Sequence, residues 1–173
     1  MLKKNTAPWL FIALFFSSVI NAQDTEPVIA LLKRLDSVRN SSSISRHFAE
    51  IYFQTTVNAV HFFSAADIKV QHLMERMETG FAGYFFRSAN AYADNQVVPG
   101  EWKAYYKDKN APSLQYILFG INAHINGDIW QALTNEFSQK ELDELKTPYF
   151  LYYKQLLKEY RRVYESALAS NGR

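Results

Sequence analysis

The chain has 173 residues and no cysteine, which excludes disulfide bonds and thiolate metal ligands. Its 19 Lys plus Arg and 17 Asp plus Glu give a formal charge of +2, and Lys3 and Lys4 at the start account for that excess. The remainder is neutral, which argues against nucleic acid as the main partner, because phosphate binding normally requires a basic surplus.

The first 22 residues have the pattern of a secretory signal peptide. A basic start is followed by an apolar stretch at residues 9–16, and small and polar residues lead to Ala22, after which we expect cleavage. The apolar stretch is well short of the ~20 residues of a spanning helix, so we predict no transmembrane segment after cleavage. The protein is therefore predicted to be secreted or periplasmic, with residues 23–173 as a single all-α domain.

From residue 26 onward, apolar residues recur at the three- and four-residue spacings of amphipathic helices. Five main helices are predicted in a single-domain helical bundle, at residues 27–39, 44–65, 68–93, 113–137 and 139–169, with a short helix at 101–106. Asp67 is the expected N-cap of the third helix, and Ser138 with Glu141 has the form of a capping box for the fifth. Because Thr147 and Pro148 form a second start signal, we expect the fifth helix to be bent or broken there.

Two glycines, Gly80 and Gly83, interrupt the third helix. Glycine costs about 1 kcal/mol relative to alanine inside a helix. We therefore expect another helix or a ligand to approach the third helix closely at these positions.

Residues 122–128 read Asn-Ala-His-Ile-Asn-Gly-Asp and concentrate polar groups in an otherwise apolar helix. On a helical wheel, His124 and Asp128 fall on one flank of an apolar stripe, and Asn122 and Asn126 fall on the other. We expect this stripe to face the core; it consists of Ile117, Leu118, Ile121, Ile125 and Ile129. A polar group buried without a partner costs about 1 to 3 kcal/mol, so the pattern predicts a polar site whose partner the sequence does not name.

His124 and Asp128 lie one helical turn apart, a spacing at which two side chains either share a divalent ion such as zinc or hydrogen-bond to each other. A metal site would need ligands from other helices. The candidates are His47, Glu50 and His61 on the second helix and His72, Glu75 and Glu78 on the third. A metal-free cleft and a purely structural polar network are the alternatives. Glu75 and Glu78 also belong to a charge run that is more typical of a solvated face.

Residues 118–129 read Leu-Phe-Gly-Ile-Asn-Ala-His-Ile-Asn-Gly-Asp-Ile, and Ala-Leu follows at 132–133. This run resembles the hallmark of an uncharacterised bacterial family, a domain of unknown function with an Asn-Ala-His-Ile-Asn helix followed by Asp. The resemblance implies an all-α domain and a site around Asn122, His124, Asn126 and Asp128, and it implies no activity.

A more distant similarity is to the secreted zinc-dependent phospholipase C and single-strand nuclease group, in which a His and an Asp at this spacing bind zinc. That group also uses an amino-terminal tryptophan and more histidines, whereas the mature chain here would begin at Gln23. The similarity therefore implies a reduced site of one or two metals, in which a bound water would attack a phosphoester.

These observations lead to two hypotheses. In the first, the exported protein is a hydrolase acting on a small molecule, a lipid or a phosphoester. His124 is then a metal ligand or general base, Asp128 is a second ligand or orients the imidazole, and Asn122 and Asn126 hold the substrate. In the second, a non-enzymatic envelope protein uses the His124 and Asp128 network only to fix helix packing.

Overall fold

The computed structural model describes residues 26–171, and for residues 159, 160 and 162–171 it describes the backbone alone. The predicted signal peptide lies outside this range. The described residues are helical without a strand, which confirms the predicted all-α helical bundle. Its elements are α1 (Glu26–Arg39), α2 (Arg46–Phe63), α3 (Ile68–Ala93), a 3-10 turn (Gly100–Trp102), α4 (Lys103–Lys107), α5 (Ser113–Ala123), a π-helical turn (His124–Asp128), α6 (Ile129–Glu136) and α7 (Gln139–Asn171).

Local capping signals fix where the helices begin. The Asp67 carboxylate accepts a hydrogen bond from the Lys69 N–H at 2.8 Å, and α3 has the predicted bounds. At the start of α7, the Ser138 N–H donates to Glu141 Oε2 at 2.8 Å, and the Glu141 N–H donates back to Ser138 Oγ at 3.4 Å. Both caps are those expected from the sequence, because they need only neighbouring residues.

The last helix, expected to be bent or broken at Thr147, is not broken there, because α7 runs through Pro148 without interruption. A proline inside a helix removes one backbone hydrogen bond. Leu145 before it and Tyr152 after it are both buried in one apolar cluster with residues of α2 and α3. Packing on both sides of Pro148 thus holds the helix together.

The expected inward face of the motif helix is wrong. Leu118 is 58% exposed and Ile125 is 47% exposed, and the remaining isoleucines of the predicted stripe are only partly buried. The buried residues lie on the neighbouring face instead, and they are Tyr116, Gly120, Ala123, His124, Asp128 and Ala132. Phe48 of α2 packs so closely on Gly120 that a Cβ there would lie 2.8 Å from its Cγ, which places α2 against this face.

The two glycines of α3 have different surroundings. The Glu136 carboxyl group of α6 occupies the space that a Cβ at Gly80 would need, so the close approach expected there is confirmed. Nothing lies within 4 Å of a Cβ built at Gly83, so the same expectation is wrong for that position.

None of the helices in the described range is long and apolar enough to cross a membrane.

Candidate functional site

The predicted polar motif forms a π-helical turn between α5 and α6. The Ile129 N–H donates to the His124 carbonyl, five residues earlier, instead of to the residue four earlier. Gly127 lies in this turn, and a Cβ there would be 2.6 Å from the Glu101 Cβ. Only glycine therefore lets the 3-10 turn approach the motif this closely. Turns of this π type are rare and often occur at functional sites.

The close approach brings Trp102 to Asp128. The indole Nε1–H donates to both carboxylate oxygens of Asp128, each at 3.0 Å, and the His124 Nδ1–H donates to Asp128 Oδ2 at 2.8 Å. Trp102 and Asp128 are fully buried, and His124 is 5% exposed. The partner that the buried carboxylate needs is therefore an indole 26 residues earlier in the chain. We call these three residues the His–Asp–Trp cluster.

Aromatic rings enclose the imidazole of His124. The Phe81 ring stacks on it with 3.4 Å between centroids and 8° between planes. Tyr52 and Phe48 contact it edge-on, at centroid distances of 4.5 and 5.1 Å. Burial lowers the pKa of His124, and the hydrogen bond to Asp128 opposes that effect only in part. The imidazole is thus neutral at neutral pH, with its proton on Nδ1.

The other ring nitrogen, His124 Nε2, is buried and has no hydrogen-bond partner. In this tautomer Nε2 is an acceptor. Leaving a buried acceptor without a donor costs about 1 to 3 kcal/mol. An acceptor oriented by Asp128 and left free in this way is the chemically distinctive feature of the cluster.

The structure does not assemble the expected metal ligands. Asp128 occupies the Nδ1 side of the imidazole, and because Nε2 points away from it, the two side chains do not enclose one ion. His47 instead stacks on Tyr116 at 5.0 Å, His61 is exposed, and His72 is exposed beside Glu75. Glu50 accepts from Arg39. Among the side chains that the structure describes, no group of three or more His, Asp or Glu is placed to hold a metal ion.

The model of a family of unknown function, DUF5995, matches residues 25–170. The chain belongs to this family. Membership agrees with the resemblance to an uncharacterised family and brings no activity with it. No curated protein and no solved structure matches the chain, so the likeness to zinc-dependent phospholipases finds no support there.

In this DUF5995 chain the two motif asparagines lie outside the buried cluster. Asn122 and Asn126 are exposed, and the Asn126 Nδ2–H donates to Asn122 Oδ1 at 2.9 Å. His124 and Asp128 are buried on another face of the same helix. The four polar residues of the motif therefore do not form one surface.

A second buried carboxyl group of the DUF5995 chain, Glu78, does not lie on a solvated face as its charge run suggests. It is 6% exposed, its Oε2 accepts from Thr56 Oγ1 at 3.3 Å, and burial raises its pKa to about 7. The Tyr52 hydroxyl donates to its backbone carbonyl at 3.3 Å. The sequence contains a signal for this burial, because Met74, Glu78 and Phe81 share one face of α3.

The Trp102 indole is the other group whose hydrogen-bond partner the sequence does not name. A buried indole N–H needs an acceptor, and a buried Asp needs a donor, so the two unmet needs are visible in the sequence. Nothing local joins them, because they belong to different elements.

Proposed function

We propose that the His–Asp–Trp cluster is a metal-independent catalytic site in an exported protein, with His124 Nε2 as the atom that accepts a proton. The observation that carries this proposal is the buried Nε2 without a partner. Its support comes from the 2.8 Å contact between Asp128 and Nδ1, which orients the ring. The export part rests on the basic, apolar and small-residue pattern of residues 1–22.

General-base chemistry is the role that this geometry supports best. A carboxylate at Nδ1 fixes the tautomer in which Nε2 has a free lone pair, and it stabilises the imidazolium that forms when Nε2 takes a proton. A water held at Nε2 would transfer a proton to that nitrogen as its oxygen attacks an ester or phosphoester. The proton then passes from Nε2 to the leaving group. Hydrolysis is therefore the first reaction to test.

His124 Nε2 is buried, so a substrate can reach it only if the core around the imidazole opens. The nearest ring to the imidazole is that of Phe81 on α3, which stacks on its face. Gly83 follows Phe81 by two residues, and no packing contact in the described range requires a glycine there. Since glycine in an exposed helix position weakens it by about 1 kcal/mol, we propose that α3 opens locally at this segment. Phe81 would then move with this segment of α3 and leave the imidazole accessible.

The test compares the purified mature chain with the variant His124→Phe, which keeps an aromatic ring against Phe81 and removes both nitrogens. His61→Gln is the matched control, because His61 is exposed on α2. Each protein is assayed on a panel of carboxylic and phosphoric esters, with and without a chelator, and its metal content is measured. We expect turnover that resists the chelator and falls about 100-fold or more in His124→Phe alone. Equal turnover in all three proteins would overturn the proposal.

A structural role is the second candidate function, and the complete burial of Trp102 and Asp128 favours it. Their hydrogen bonds join the 3-10 turn to the π turn and fix the register of two elements. In this case the protein is a non-enzymatic envelope component. His124→Phe then lowers the free energy of unfolding by about 2 kcal/mol and changes no activity.

A further inference from the structure

A second candidate site lies near the start of α2 and the loop before α5. It is a cavity of about 410 Å³. Two cationic side chains line it, Arg46 and Lys109, together with the His47 imidazole, and the lining described for it includes no acidic residue. A cavity with this composition has a positive potential and attracts anions.

One carboxylate lies beside this cavity, that of Asp108, and it accepts a hydrogen bond from the Asn110 N–H at 2.9 Å. Neither Arg46 nor Lys109 forms an ion pair within the described part of the chain. Among the described residues the Arg46 guanidinium donates one hydrogen bond, to the Ser42 carbonyl at 3.4 Å, so most of its five donors have no protein partner there. The Arg46 charge also adds to burial in lowering the pKa of His47, as expected beside an uncompensated cation.

The start of α5 adds donors to the same place. Pro112 is its N-cap residue and makes no side-chain hydrogen bond to the helix. The N–H groups of Gln115 and Tyr116 donate to the Pro112 carbonyl, so the two earlier ones, of Ser113 and Leu114, have no partner within the helix. Ser113 lines the cavity. These N–H groups supplement the basic side chains.

The partly buried His47 ring completes the cavity, and the buried Tyr116 ring lies behind it. The His47 and Tyr116 rings stack with centroids 5.0 Å apart and planes within 4°. Both residues line the cavity, which is large enough for an organic group as well as an anion. Aromatic side chains of this kind contact the apolar or planar part of a ligand.

We propose that this cavity binds a small organic phosphate, with the phosphate group held by Arg46 and Lys109 and the organic part against the His47 ring. A phosphate ester presents three oxygens and close to two negative charges, which match a guanidinium, an ammonium and free helix N–H groups better than one carboxylate does. The site is separate from the His–Asp–Trp cluster, and the inference does not rest on hydrolysis there.

The test is calorimetric titration of the mature chain with sn-glycerol 3-phosphate. Glycerol, inorganic phosphate and succinate are titrated in parallel. Arg46→Gln and Lys109→Gln each remove one positive charge from the lining. Lys107→Gln is the matched control, because it also removes one positive charge, and Lys107 is exposed and does not line the cavity. All three positions are exposed, so the variants are expected to fold. The His47 imidazole signals in NMR spectra report whether the ligand binds beside that ring.

We expect saturable binding of sn-glycerol 3-phosphate, weakened about tenfold or more by either lining variant and unchanged in Lys107→Gln, since a lost charge-assisted hydrogen bond has about that effect. Flotation with phosphatidylcholine vesicles, with and without phosphatidic acid, distinguishes the source of the phosphate. Recruitment that requires phosphatidic acid assigns a lipid headgroup, and binding of the soluble ester alone assigns a free metabolite. Succinate binding as tightly as the phosphate ester, equal binding by all variants, or no saturable binding would overturn the inference.

Discussion

Removing the Asp128 carboxylate tests the buried cluster most directly. In Asp128→Ala the Trp102 Nε1–H and the His124 Nδ1 lose the acceptor that they share at 3.0 and 2.8 Å. All three groups are shielded from solvent, so water does not replace the lost bonds without entering the core. The variant therefore leaves two buried polar groups unpaired.

The expected cost follows from that count. Each unpaired buried group costs about 1 to 3 kcal/mol, so Asp128→Ala should lower the free energy of unfolding by about 4 kcal/mol. This is a large part of the roughly 5 to 15 kcal/mol that stabilises a typical domain. Asp128→Asn should lower the free energy of unfolding by only about 1 kcal/mol. The amide oxygen of the new side chain still accepts from Trp102, and its amide N–H donates to His124 Nδ1 once the imidazole proton moves to Nε2.

Urea unfolding followed by circular dichroism measures these free energies, and ¹⁵N NMR of the imidazole identifies its tautomer. Asp143→Ala is the control, because the Asp143 carboxylate is exposed and, among the described residues, accepts a hydrogen bond from Gln139 alone. It should change stability by less than about 0.5 kcal/mol. A cost below about 1 kcal/mol for Asp128→Ala would refute the buried pairing. Equal costs for the Ala and Asn variants, or an unchanged tautomer in Asp128→Asn, would refute the proton shift.

Three further substitutions test the surroundings of the cluster. The pKa of Glu78 is raised from 4.5 to about 7, so between these pH values the folded chain retains a proton that the unfolded chain releases. The free energy of unfolding of the wild type should therefore fall by roughly 3 kcal/mol as the pH rises from 4.5 to about 7. Glu78→Gln should abolish this loss in pH-dependent urea unfolding, whereas parallel stability curves would contradict it. Gly83→Ala should raise the free energy of unfolding by about 0.5 to 1 kcal/mol, since nothing obstructs a Cβ there, and it should slow turnover if α3 opens locally there; faster turnover would argue against that opening. Gly120→Ala should cost about 1 to 3 kcal/mol because its Cβ meets the Phe48 ring, and an unchanged melting temperature would contradict that contact.

The sequence by itself determined the helices. The bounds of α3 and the caps at Asp67 and Ser138 follow from residues within one or two turns of each other. Helical periodicity and capping depend on residues close together in the chain, and no segment has the alternating pattern of a strand. A single sequence is therefore enough to predict the all-α class.

Tertiary structure decided which face of the motif helix is buried. The wheel identifies an apolar stripe through Leu118 and Ile125, yet the chain buries His124 and Asp128 and leaves that stripe partly exposed. Tertiary contacts override the local pattern here, because Phe48 packs against Gly120, and Gly127 lets the 3-10 turn bring Trp102 to the carboxylate.

The site itself combines both kinds of information. Its polar residues are visible in one short segment, whereas their partners come from three other parts of the chain: Phe48 and Tyr52, Phe81, and Trp102. The same holds for Pro148, which is a local stop signal that packing on both sides of α7 overrides. Local sequence patterns determine the helices, because the interactions within a helix span only a few residues. The partners of each buried side chain are determined only in the folded core, because those contacts join residues far apart in the chain.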